Sequence, residues 1–261
     1  MDKQEQAEFL VEALPYIKKY YNKIIVIKYG GNAMTDSKLK FAVMNDVAVL
    51  SALGIKVVLV HGGGPEISDI SKKMGITPKF INGLRYTDEE TVEIARMALA
   101  GKVNKSLVDL LCAAGGKAIG LCGEDGHMLK CEKMSEELGY VGKIVGVDAC
   151  VIGDVLSLGY VPIISPIGFD DEGHIYNVNA DTAAAAIAGA LGAESLILMT
   201  DIKGLLENRD DPDSLIKKVY VSDIPALVKQ GIISGGMIPK IDCCREAIRR
   251  GVNKVLSLIH I

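Results

Sequence analysis

The sequence contains no tryptophan, and aromatic residues make up only 5% of its 261 positions, so a folded core must be aliphatic. The six cysteines show no C-x-x-C spacing, which argues against a zinc site and a disulfide framework and favours reduced thiols. No apolar stretch is long enough to span a bilayer, and no charged-then-apolar leader opens the chain. We therefore expect a cytoplasmic protein.

Clusters of basic residues are also missing. The formal net charge is −4, from 29 Lys+Arg and 33 Asp+Glu, and the basic residues form no run. Binding to nucleic acid or to an anionic membrane needs a concentrated positive surface. We therefore expect neither as a partner.

Several catalytic and nucleotide-binding motifs are absent. There is no G-x-G-x-x-G, and none of the three Gly-Lys pairs is followed by Ser or Thr, which excludes a Walker A loop. The lack of H-R-D and D-F-G excludes a protein kinase, and the lack of G-x-S-x-G excludes the usual nucleophile elbow of a hydrolase.

The composition that is present is that of a globular protein, with 49% hydrophobic and 24% charged residues, and the length allows one large α/β domain or two lobes. Continuously apolar runs predict strands buried on both faces at 24–28, 56–61, 117–121, 161–165 and 195–200. Helix-length patterns lie at 38–53, 65–74, 88–111, 148–158, 181–191 and 237–250. This alternation predicts a three-layer α/β sandwich with a central, mainly parallel sheet, and the polar stretch 207–214 predicts a surface turn or hairpin.

Residues 1–22 form a separate pattern before the first strand. Apolar residues recur there at helical spacing, and Pro15 lies inside the pattern, where proline usually kinks a helix. Either this helix folds back on its own domain, or it is a kinked arm that buries its apolar face against another subunit.

Glycine-rich strand ends are the main functional signal. The first strand runs into Lys28–Gly31 and the second into His61–Pro65. Glycine lets the backbone approach a ligand closely, free N–H groups bind anions, and the ends of parallel strands share the ligand-binding edge of a sheet. Turns explain most single Gly-Gly pairs, but two on successive strands indicate phosphate or carboxylate binding.

Three charged residues stand in unusual contexts. Lys28 lies between an apolar strand and a glycine pair, and Lys240 follows another glycine pair in the first turns of a helix. Asp181 begins an alanine-rich helix and follows the amides Asn177 and Asn179. Most lysines are solvated surface charges, and Asp at a helix start is most often an N-cap. The context favours a polar site over these simpler interpretations.

Six segments together resemble, in order over residues 6–255, the acetylglutamate kinases of the amino acid kinase family. They are Lys28–Gly31, His61–Pro65, Asn82–Arg85, Gly101–Lys105, Asn177–Asp181 and Gly235–Lys240. The resemblance implies a central, mainly parallel eight-stranded sheet between helices. It also implies an acceptor-binding N-lobe at 23–180 and an ATP-binding C-lobe at 181–261.

The reaction implied by the resemblance is ATP-dependent phosphorylation of the side-chain carboxylate of N-acetyl-L-glutamate, the second step of arginine biosynthesis. A glutamate carboxylate has a pKa of about 4.3, so the nucleophile is already ionised and no general base is needed. None of the four histidines therefore has to be catalytic. The reaction needs positioned cations, N–H donors and Mg²⁺, which we expect the ATP phosphates to hold without a protein ligand.

The resemblance also implies roles for individual residues in phosphoryl transfer. Lys28 and Lys240 would neutralise the transferred group from the acceptor and nucleotide sides, and Asp181 would hold both lysines. The Gly31 and Gly63 N–H groups would donate to phosphoryl oxygens.

The implied binding residues fall into an acceptor set and a nucleotide set. Arg85 would clamp the α-carboxylate of the substrate with its planar fork, and Asn177 would bind the α-substituents. Asn179, Gly63 and Gly64 would line the acceptor site. The nucleotide set comprises Lys28, Gly30, Thr200, Asp201, Gly204, Leu205 and Lys240.

The N-terminal arm gains a meaning from the same resemblance. Arginine-inhibited members carry a kinked N-terminal helix that interlaces dimers into a hexamer, a trimer of dimers, and borders the arginine site. Ala13–Ile17 matches this pattern, so Tyr16 is a candidate arginine contact and we expect feedback inhibition.

The end of the chain departs from the family. Members continue beyond Gly251–Val255 through a further helix and strands, whereas this chain reads Leu-Ser-Leu-Ile-His-Ile at 256–261. Those six residues are what the transposon end of common sequencing libraries encodes, so we expect them to be non-native and the C-lobe to be incomplete. The alternative is a genuine short apolar edge strand, and the complete gene sequence distinguishes the two.

Two alternative functions stay open, and two residues have simpler interpretations. The alternatives are another acyl kinase of the family, acting on a carrier-linked aminoadipate, and a non-catalytic arginine-sensing subunit. Retention of Lys28, Asp181 and Lys240 argues against a pure sensor. His61 is expected to cap its strand through a hydrogen bond, and Cys243 and its neighbour Cys244 to pack on a helix face.

Overall fold

The computed structural model describes residues 2–34, 36–199, 204–208, 211, 213–235 and 237–258. The strands are β1 (Ile24–Tyr29), β2 (Lys56–His61), β3 (Phe80–Ile81), β4 (Leu84–Arg85), β5 (Ala118–Cys122), β6 (Leu129–Lys133), β7 (Gly142–Val147), β8 (Val161–Ser165), β9 (Ile167–Phe169), β10 (Ile175–Asn177), β11 (Ser195–Met199) and β12 (Lys254–Leu258). The α-helices are α1 (Lys3–Tyr20), α2 (Ser37–Ala52), α3 (Gly64–Lys73), α4 (Glu89–Arg96), α5 (Asn104–Ala113), α6 (Cys150–Ser157), α7 (Ala180–Ala190), α8 (Ile224–Lys229) and α9 (Met237–Arg249). Across these described residues, no helix has the length and apolarity that a membrane crossing requires.

The central sheet is parallel throughout its described strands, in the order β12-β11-β1-β2-β8-β5. Every residue of β8 and β11 is buried, because helices cover both faces of the sheet. Continuous apolar runs are the sequence pattern of strands in this position. The predicted α/β sandwich is therefore confirmed, with six described strands in the central sheet.

Side chains alternate between two aliphatic core layers. On one face, Val26 and Val58 pack with α7, whose residues 183–188, five alanines and Ile187, are all buried. On the other face, Ile27 and Leu59 pack against α2 and α5. Small alanine side chains let α7 lie close to the sheet, which places its first residues at the sheet edge where β1 and β2 end.

The segment predicted as helical at 88–111 contains both α-helical and π-helical turns. A π-helical stretch, Met97–Val103, joins α4 to α5 without a break in the helical path. Single π turns inside α-helices often occur at functional sites because they shift the side chains that follow. This one brings Leu99 and Val103 against the loop after β2.

A second sheet, in the order β10-β9-β6-β7, lies outside the strand pattern that the sequence predicted. Its strands are three to six residues long, and β6 reads Leu-Lys-Cys-Glu-Lys, with three of its five residues exposed. Such short, mixed runs carry little apolar signal. The predicted turn at 207–214 is confirmed at its ends, where Leu206 pairs antiparallel with Leu215 and the Glu207 N–H donates to the Ser214 carbonyl at 2.9 Å.

The two ends of the chain meet at one edge of the central sheet. Pro15 lies inside α1, whose last residue, Tyr20, accepts a hydrogen bond from Lys254 and stacks against its ammonium group at 4.7 Å from the ring centre. In β12, Leu256 pairs with Ile197 of β11. This is the geometry of an apolar edge strand, and the origin of residues 256–261 stays a prediction.

The core layers make a direct stability prediction. Leu111→Ala removes a fully buried side chain from the α2–α5 layer, and we expect it to lower the free energy of unfolding by about 2–5 kcal/mol. Leu158→Ala is the matched control, because Leu158 is 70% exposed, and we expect a change within about 0.5 kcal/mol. Urea unfolding measures both, and equal losses would contradict the assignment of this layer as core.

Candidate active site

Three segments that are distant in sequence meet at the carboxyl edge of the sheet. Tyr29 is paired with His61, and the Gly62 N–H donates to the Tyr29 carbonyl at 2.8 Å. A methyl group placed on Gly62 would lie 3.9 Å from Gly30 Cα and 4.0 Å from Ala180 Cβ. The loops after β1 and β2 and the start of α7 are therefore in contact, as a shared ligand-binding edge requires.

An ion pair between β1 and α7 lies at the centre of this edge. Lys28 Nζ is 2.9 Å from Asp181 Oδ1, and the two side chains are 15% and 22% exposed. A Cβ on Gly30 would lie 2.8 Å from Lys28 Nζ, so the ammonium group rests directly over the glycine. The predicted Lys28–Asp181 contact is present, and it places one cation and one anion where a phosphoryl group can reach both.

Asp181 is not the N-cap of α7. The cap is Asn179, whose Oδ1 accepts from the backbone N–H groups of Asp181 at 2.9 Å and Thr182 at 3.1 Å. The simpler interpretation of Asp181 as a cap is therefore wrong, and capping by Asn179 leaves the Asp181 carboxylate available to Lys28. The predicted substrate contact of Asn179 stays a prediction.

Lys240 lies on α9, which packs against the start of α7. Cys243, one turn further along, donates its thiol hydrogen to the Asp181 carbonyl at 3.0 Å. No ion pair within 4.0 Å joins Lys240 to Asp181 in the part of the chain that the structure describes. Of the predicted lysine–aspartate–lysine array, the structure shows the Lys28 half, and the role of Lys240 stays a prediction.

The cysteine pair beside the site has raised pKa values. Burial, together with the nearby Asp181 carboxylate, raises the pKa of Cys243 to about 12 and that of Cys244 to about 11. The thiolate is the nucleophilic form, and both groups are protonated at neutral pH. They pack against the α7 core layer, as predicted.

The loop after β2 needs its second glycine for steric reasons. A Cβ on Gly63 would come within 2.5 Å of Leu99 Cδ2 and 3.3 Å of Val103 Cγ2. Gly64 then begins α3, whose first N–H groups are unpaired by helix geometry and attract anions. Gly31 has a φ of 73°, a left-handed conformation that favours glycine, and opens a short turn after β1.

Arg85 is a buried cation with an unfilled hydrogen-bonding position. Only 8% of the residue is exposed, and Nη2 donates to the Gly64 carbonyl and to Ser68 Oγ, each at 2.8 Å. Nη1 is buried without a partner, and no carboxylate pairs with the guanidinium among the described residues. Burial lowers the pKa of Arg85. A buried guanidinium nitrogen in this state is satisfied by an anionic ligand, and a carboxylate fits its planar fork.

Asn177 is connected to Arg85 through a threonine that the sequence analysis missed. Asn177 Nδ2 donates to Thr87 Oγ1 at 3.3 Å, and Thr87 Oγ1 donates to the Arg85 carbonyl at 3.0 Å. Thr87 is fully buried and lies two residues after Arg85, outside any motif. The structure therefore brings together the two predicted acceptor-binding residues, 92 positions apart in the sequence.

The remaining predicted residues are Thr200, Asp201, Gly204, Leu205 and Tyr16. Thr200 and Asp201 lie outside the described residues. Leu205 is buried and packs with Ile224 and Ile233, and the adjacent Gly204 has a left-handed φ of 138°. On α1, Tyr16 is 70% exposed.

His61 has the structural role expected of it. The ring is fully buried, and Nδ1 lies 2.7 Å from the Gly62 carbonyl, while Nε2 lies 3.2 Å from Asn104 Nδ2. Burial lowers the pKa of His61 to about 4, so the imidazole is neutral at neutral pH. Asn104 lies within the Gly101–Lys105 motif, but nothing in the motif indicates that it is the partner of His61.

One group of metal-ligating side chains occurs among the described residues, at Asp170, Glu172 and His174. The Asp170 carboxylate already accepts from the backbone N–H groups of Glu172 and His174 and from the Tyr176 hydroxyl. Burial opposes ionisation, but these hydrogen bonds outweigh it and lower the pKa of Asp170 to about 2. The group is accounted for as the turn between β9 and β10.

Comparison with known proteins agrees with this architecture. The family model of the amino acid kinase family matches residues 23–256. The chain belongs to the amino acid kinase family. Among curated members, it is 52% identical to the acetylglutamate kinase of Brachyspira hyodysenteriae over 257 residues, which are 98% of this chain and 89% of that protein. It is also 52% identical to the acetylglutamate kinase of Clostridioides difficile, over 96% of this chain and 88% of that protein.

Solved structures show the same family fold. Smu.665 from Streptococcus mutans has a TM-score of 0.80 at 32% identity and covers 91% of this chain and 95% of its own. Carbamate kinase from Giardia lamblia bound to AMP-PNP has a TM-score of 0.67 at 19% identity, over 91% and 93% of the two chains, which shows a shared fold alone. The family resemblance predicted from the six segments is confirmed.

The buried state of His61 makes a prediction about pH. The folded protein keeps the ring neutral down to about pH 4, whereas the unfolded ring takes up a proton near its ordinary pKa of 6.5. Between these values the unfolded state binds more protons, so this residue lowers the free energy of unfolding as the pH falls, by up to about 3 kcal/mol. Urea unfolding at pH 7 and pH 4.5 should show a larger loss for the wild type than for His61→Asn. Equal losses would show that His61 titrates normally.

Proposed function

We propose that this protein transfers the γ-phosphoryl group of ATP to the side-chain carboxylate of N-acetyl-L-glutamate, forming N-acetyl-L-glutamyl 5-phosphate for arginine biosynthesis. The single observation that carries the proposal is the buried Arg85, whose Nη1 lacks a partner while its Nη2 donates to the Gly64 carbonyl of the glycine loop. Curated relatives with 52% identity over nearly the whole chain, each named acetylglutamate kinase, support the choice of substrate.

The chemistry needs no general base. A carboxylate oxygen of the acceptor attacks the γ-phosphorus, a P–O bond forms, the bond to the β-phosphate oxygen breaks, and ADP leaves with its electron pair. Because the acceptor is ionised at neutral pH, no proton has to be removed. The one buried histidine at this edge is neutral, and its ring atoms already have protein partners.

Charge neutralisation is the task of Lys28 and its partner. Attack by a carboxylate on a polyphosphate brings like charges together, and a fixed ammonium group offsets this repulsion as charge spreads over the transferred group. Asp181 holds Lys28 at 2.9 Å and limits the positions that its flexible side chain can take. Mg²⁺ bound to the ATP phosphates would supply further positive charge. Lys240 would add a second ammonium group from the nucleotide side.

Acceptor recognition depends on Arg85 and the residues connected to it. The unpaired Nη1 would bind the α-carboxylate of the substrate while Nη2 stays on Gly64 and Ser68. Asn177, held by Thr87, would contact the other α-substituents. The free N–H groups of the glycine loop would then receive the phosphoryl oxygens.

Two alternative functions make different demands on the same residues. A kinase for a carrier-linked aminoadipate needs the same Lys28 chemistry but an acceptor pocket for a longer, tethered chain. A non-catalytic arginine sensor needs neither the Lys28–Asp181 pair nor an anion-binding loop. The assembled ion pair favours a kinase over a sensor, and the relatives favour acetylglutamate.

Regulation and assembly form the second part of the proposal. The arm α1 exposes apolar side chains at Val11, Leu14 and Tyr16, the last in the position proposed to contact arginine. Exposed apolar side chains on one helix are typical of a surface that is covered by another subunit. We propose a hexamer built through α1, inhibited by arginine and located in the cytoplasm, where the six free cysteines stay reduced.

The catalytic proposal is tested by trapping the acyl phosphate with hydroxylamine in the presence of ATP, Mg²⁺ and N-acetyl-L-glutamate. We expect product from the wild type and a loss of kcat of about 10²–10³-fold in Lys28→Ala, because a fixed charge at the transferred group is removed. Lys143→Ala is the matched control, since this lysine is 62% exposed on β7.

Two outcomes would contradict the catalytic proposal. Product with another carboxylate but none with N-acetyl-L-glutamate would overturn the substrate. Near-normal turnover in Lys28→Ala would refute the role assigned to the lysine.

The regulatory proposal is tested on the same protein by adding L-arginine and by measuring the molar mass in solution. We expect inhibition and a hexamer for the wild type. Deletion of residues 1–22 should give smaller particles and abolish inhibition, because the proposed contacts lie on α1. A wild-type hexamer that is insensitive to arginine would contradict the proposed regulation but not the proposed assembly.

A further inference from the structure

Both backbone polar groups of Gly62, its N–H and its carbonyl, form hydrogen bonds within the protein. The Gly62 N–H donates to the Tyr29 carbonyl at 2.8 Å, and the Gly62 carbonyl accepts from His61 Nδ1 at 2.7 Å. Glycine itself has little preference for one backbone conformation. The orientation of this loop is therefore set by its two hydrogen bonds, of which one comes from the neighbouring strand and one from a side chain.

The tautomer of His61 follows from its partners. A carbonyl oxygen can only accept, so Nδ1 carries the hydrogen and Nε2 has a lone pair. Nε2 accepts from Asn104 Nδ2 at 3.2 Å. With its pKa lowered to about 4 by burial, the ring is neutral at working pH and keeps this arrangement.

Asn104 is anchored so that its amide presents donors toward the sheet. Its Nδ2 also donates to the carbonyls of Ile163 at 2.8 Å and Leu121 at 3.2 Å, on strands β8 and β5. Its Oδ1 accepts from Lys105 Nζ at 3.3 Å. Nδ2 has two hydrogens for three acceptors, so one hydrogen is shared between two of them. A rotated amide would place Oδ1 against two carbonyl oxygens, which can only accept, so the observed orientation is the favoured one.

The position of Asn104 depends on the π-helical stretch before it. Asn104 is the first residue of α5, directly after Met97–Val103, and it is 1% exposed. Leu99 and Val103 of the same stretch pack against Gly63. This one helical path therefore acts on the glycine loop in two ways. Asn104 reaches it indirectly, through its hydrogen bond to His61, whereas Leu99 and Val103 contact Gly63 by van der Waals packing.

The N–H groups that follow are the ones available to a ligand. Neither Gly63 nor Gly64 donates its N–H to a protein acceptor among the described residues. The Gly63 N–H belongs to the same planar peptide as the Gly62 carbonyl, so the hydrogen bond on that carbonyl sets its direction, and the Gly64 N–H follows one residue later. Donors to a transferred phosphoryl group are effective only when they are already oriented, and a misplacement of about 1 Å can cost about 10²-fold in rate.

We propose that Asn104 and His61 are positioning residues, a relay of hydrogen bonds from the central sheet that holds the Gly62 carbonyl and thereby aims the Gly63 and Gly64 N–H groups at the transferred phosphoryl group. This inference rests on the proposed phosphoryl transfer. Neither residue touches the reacting atoms. Their effect is on the geometry of the transition state, and it appears in kcat more than in substrate binding.

The first test compares two replacements of His61 in the hydroxylamine assay. His61→Leu removes the donor to Gly62, and we expect kcat to fall about 10²-fold with both KM values within about 3-fold. His61→Asn places an amide donor near the position of Nδ1, and we expect kcat within about 5-fold of the wild type. His127→Asn is the matched control, since His127 is exposed and its left-handed backbone suits asparagine.

The second test asks whether Asn104 acts through His61. In a double-mutant cycle with Asn104→Ala, the relay predicts that Asn104→Ala and His61→Leu together lower kcat no more than His61→Leu alone. Independent structural roles predict that the two losses multiply. Circular dichroism at the assay temperature confirms that each variant is folded.

The third measurement uses the wild type alone and holds even where a variant does not fold. The ¹⁵N shifts of His61 should show a protonated Nδ1 and a bare Nε2 throughout pH 5.5–8. The opposite tautomer would overturn the relay. So would a folded His61→Leu variant with a normal kcat, or equal losses of kcat in His61→Leu and His61→Asn. Losses of kcat that multiply in the double-mutant cycle would overturn it as well. A wild type without activity on acetylglutamate would instead contradict the proposed function and leave the tautomer result to decide the hydrogen-bond geometry.

Discussion

The parallel pairing of β1 with β2 is the constraint on which the site depends. The two strands run in register from Ile24 with Lys56 to Tyr29 with His61, so both end at the same level of the sheet. The next hydrogen bond in the ladder, from the Gly62 N–H to the Tyr29 carbonyl, joins the two glycine loops directly. A shift of one residue in this pairing would turn the side chains of one strand to the opposite face and separate the loops. The central strands of the core and the anion-binding edge are therefore determined by one interaction.

The electrostatics of the site at this edge are simple. It contains few ionisable groups, and each has an identifiable state: Lys28 is paired with Asp181, Arg85 is buried with a free nitrogen, and His61 is neutral. A reaction between two anions is limited by charge repulsion and orientation, and proton transfer plays no part in it. The arrangement suits that demand, because it supplies cations and oriented N–H groups.

Much of the architecture follows from sequence patterns that have a local physical cause. The apolar runs at 24–28 and 161–165 became central strands because only strands buried on both faces can be apolar at every position. The alanine-rich segment after Asp181 became α7, packed closely on the sheet. The short strands of the second sheet were missed, because they are held by cross-strand pairing and their short, mixed runs carry little apolar pattern of their own. The N-cap of α7 could not be assigned from sequence alone, since Asp181 and Asn179 are both good caps and the contact of Asp181 with Lys28 decides between them.

Sequence patterns alone were enough to predict the α/β class, the two glycine-rich strand ends, the family and the importance of the charged residues Lys28, Arg85 and Asp181. These are properties of local patterns and of residue types that need no partner to be recognised. Folding in three dimensions revealed that Arg85 Nη1 is buried without a partner, that Thr87 connects Arg85 to Asn177, and that Asn104 lies against His61 Nε2. Each of these is a contact between segments separated in the chain, and whether a hydrogen-bonding group is satisfied depends on the whole set of neighbours that folding brings to it.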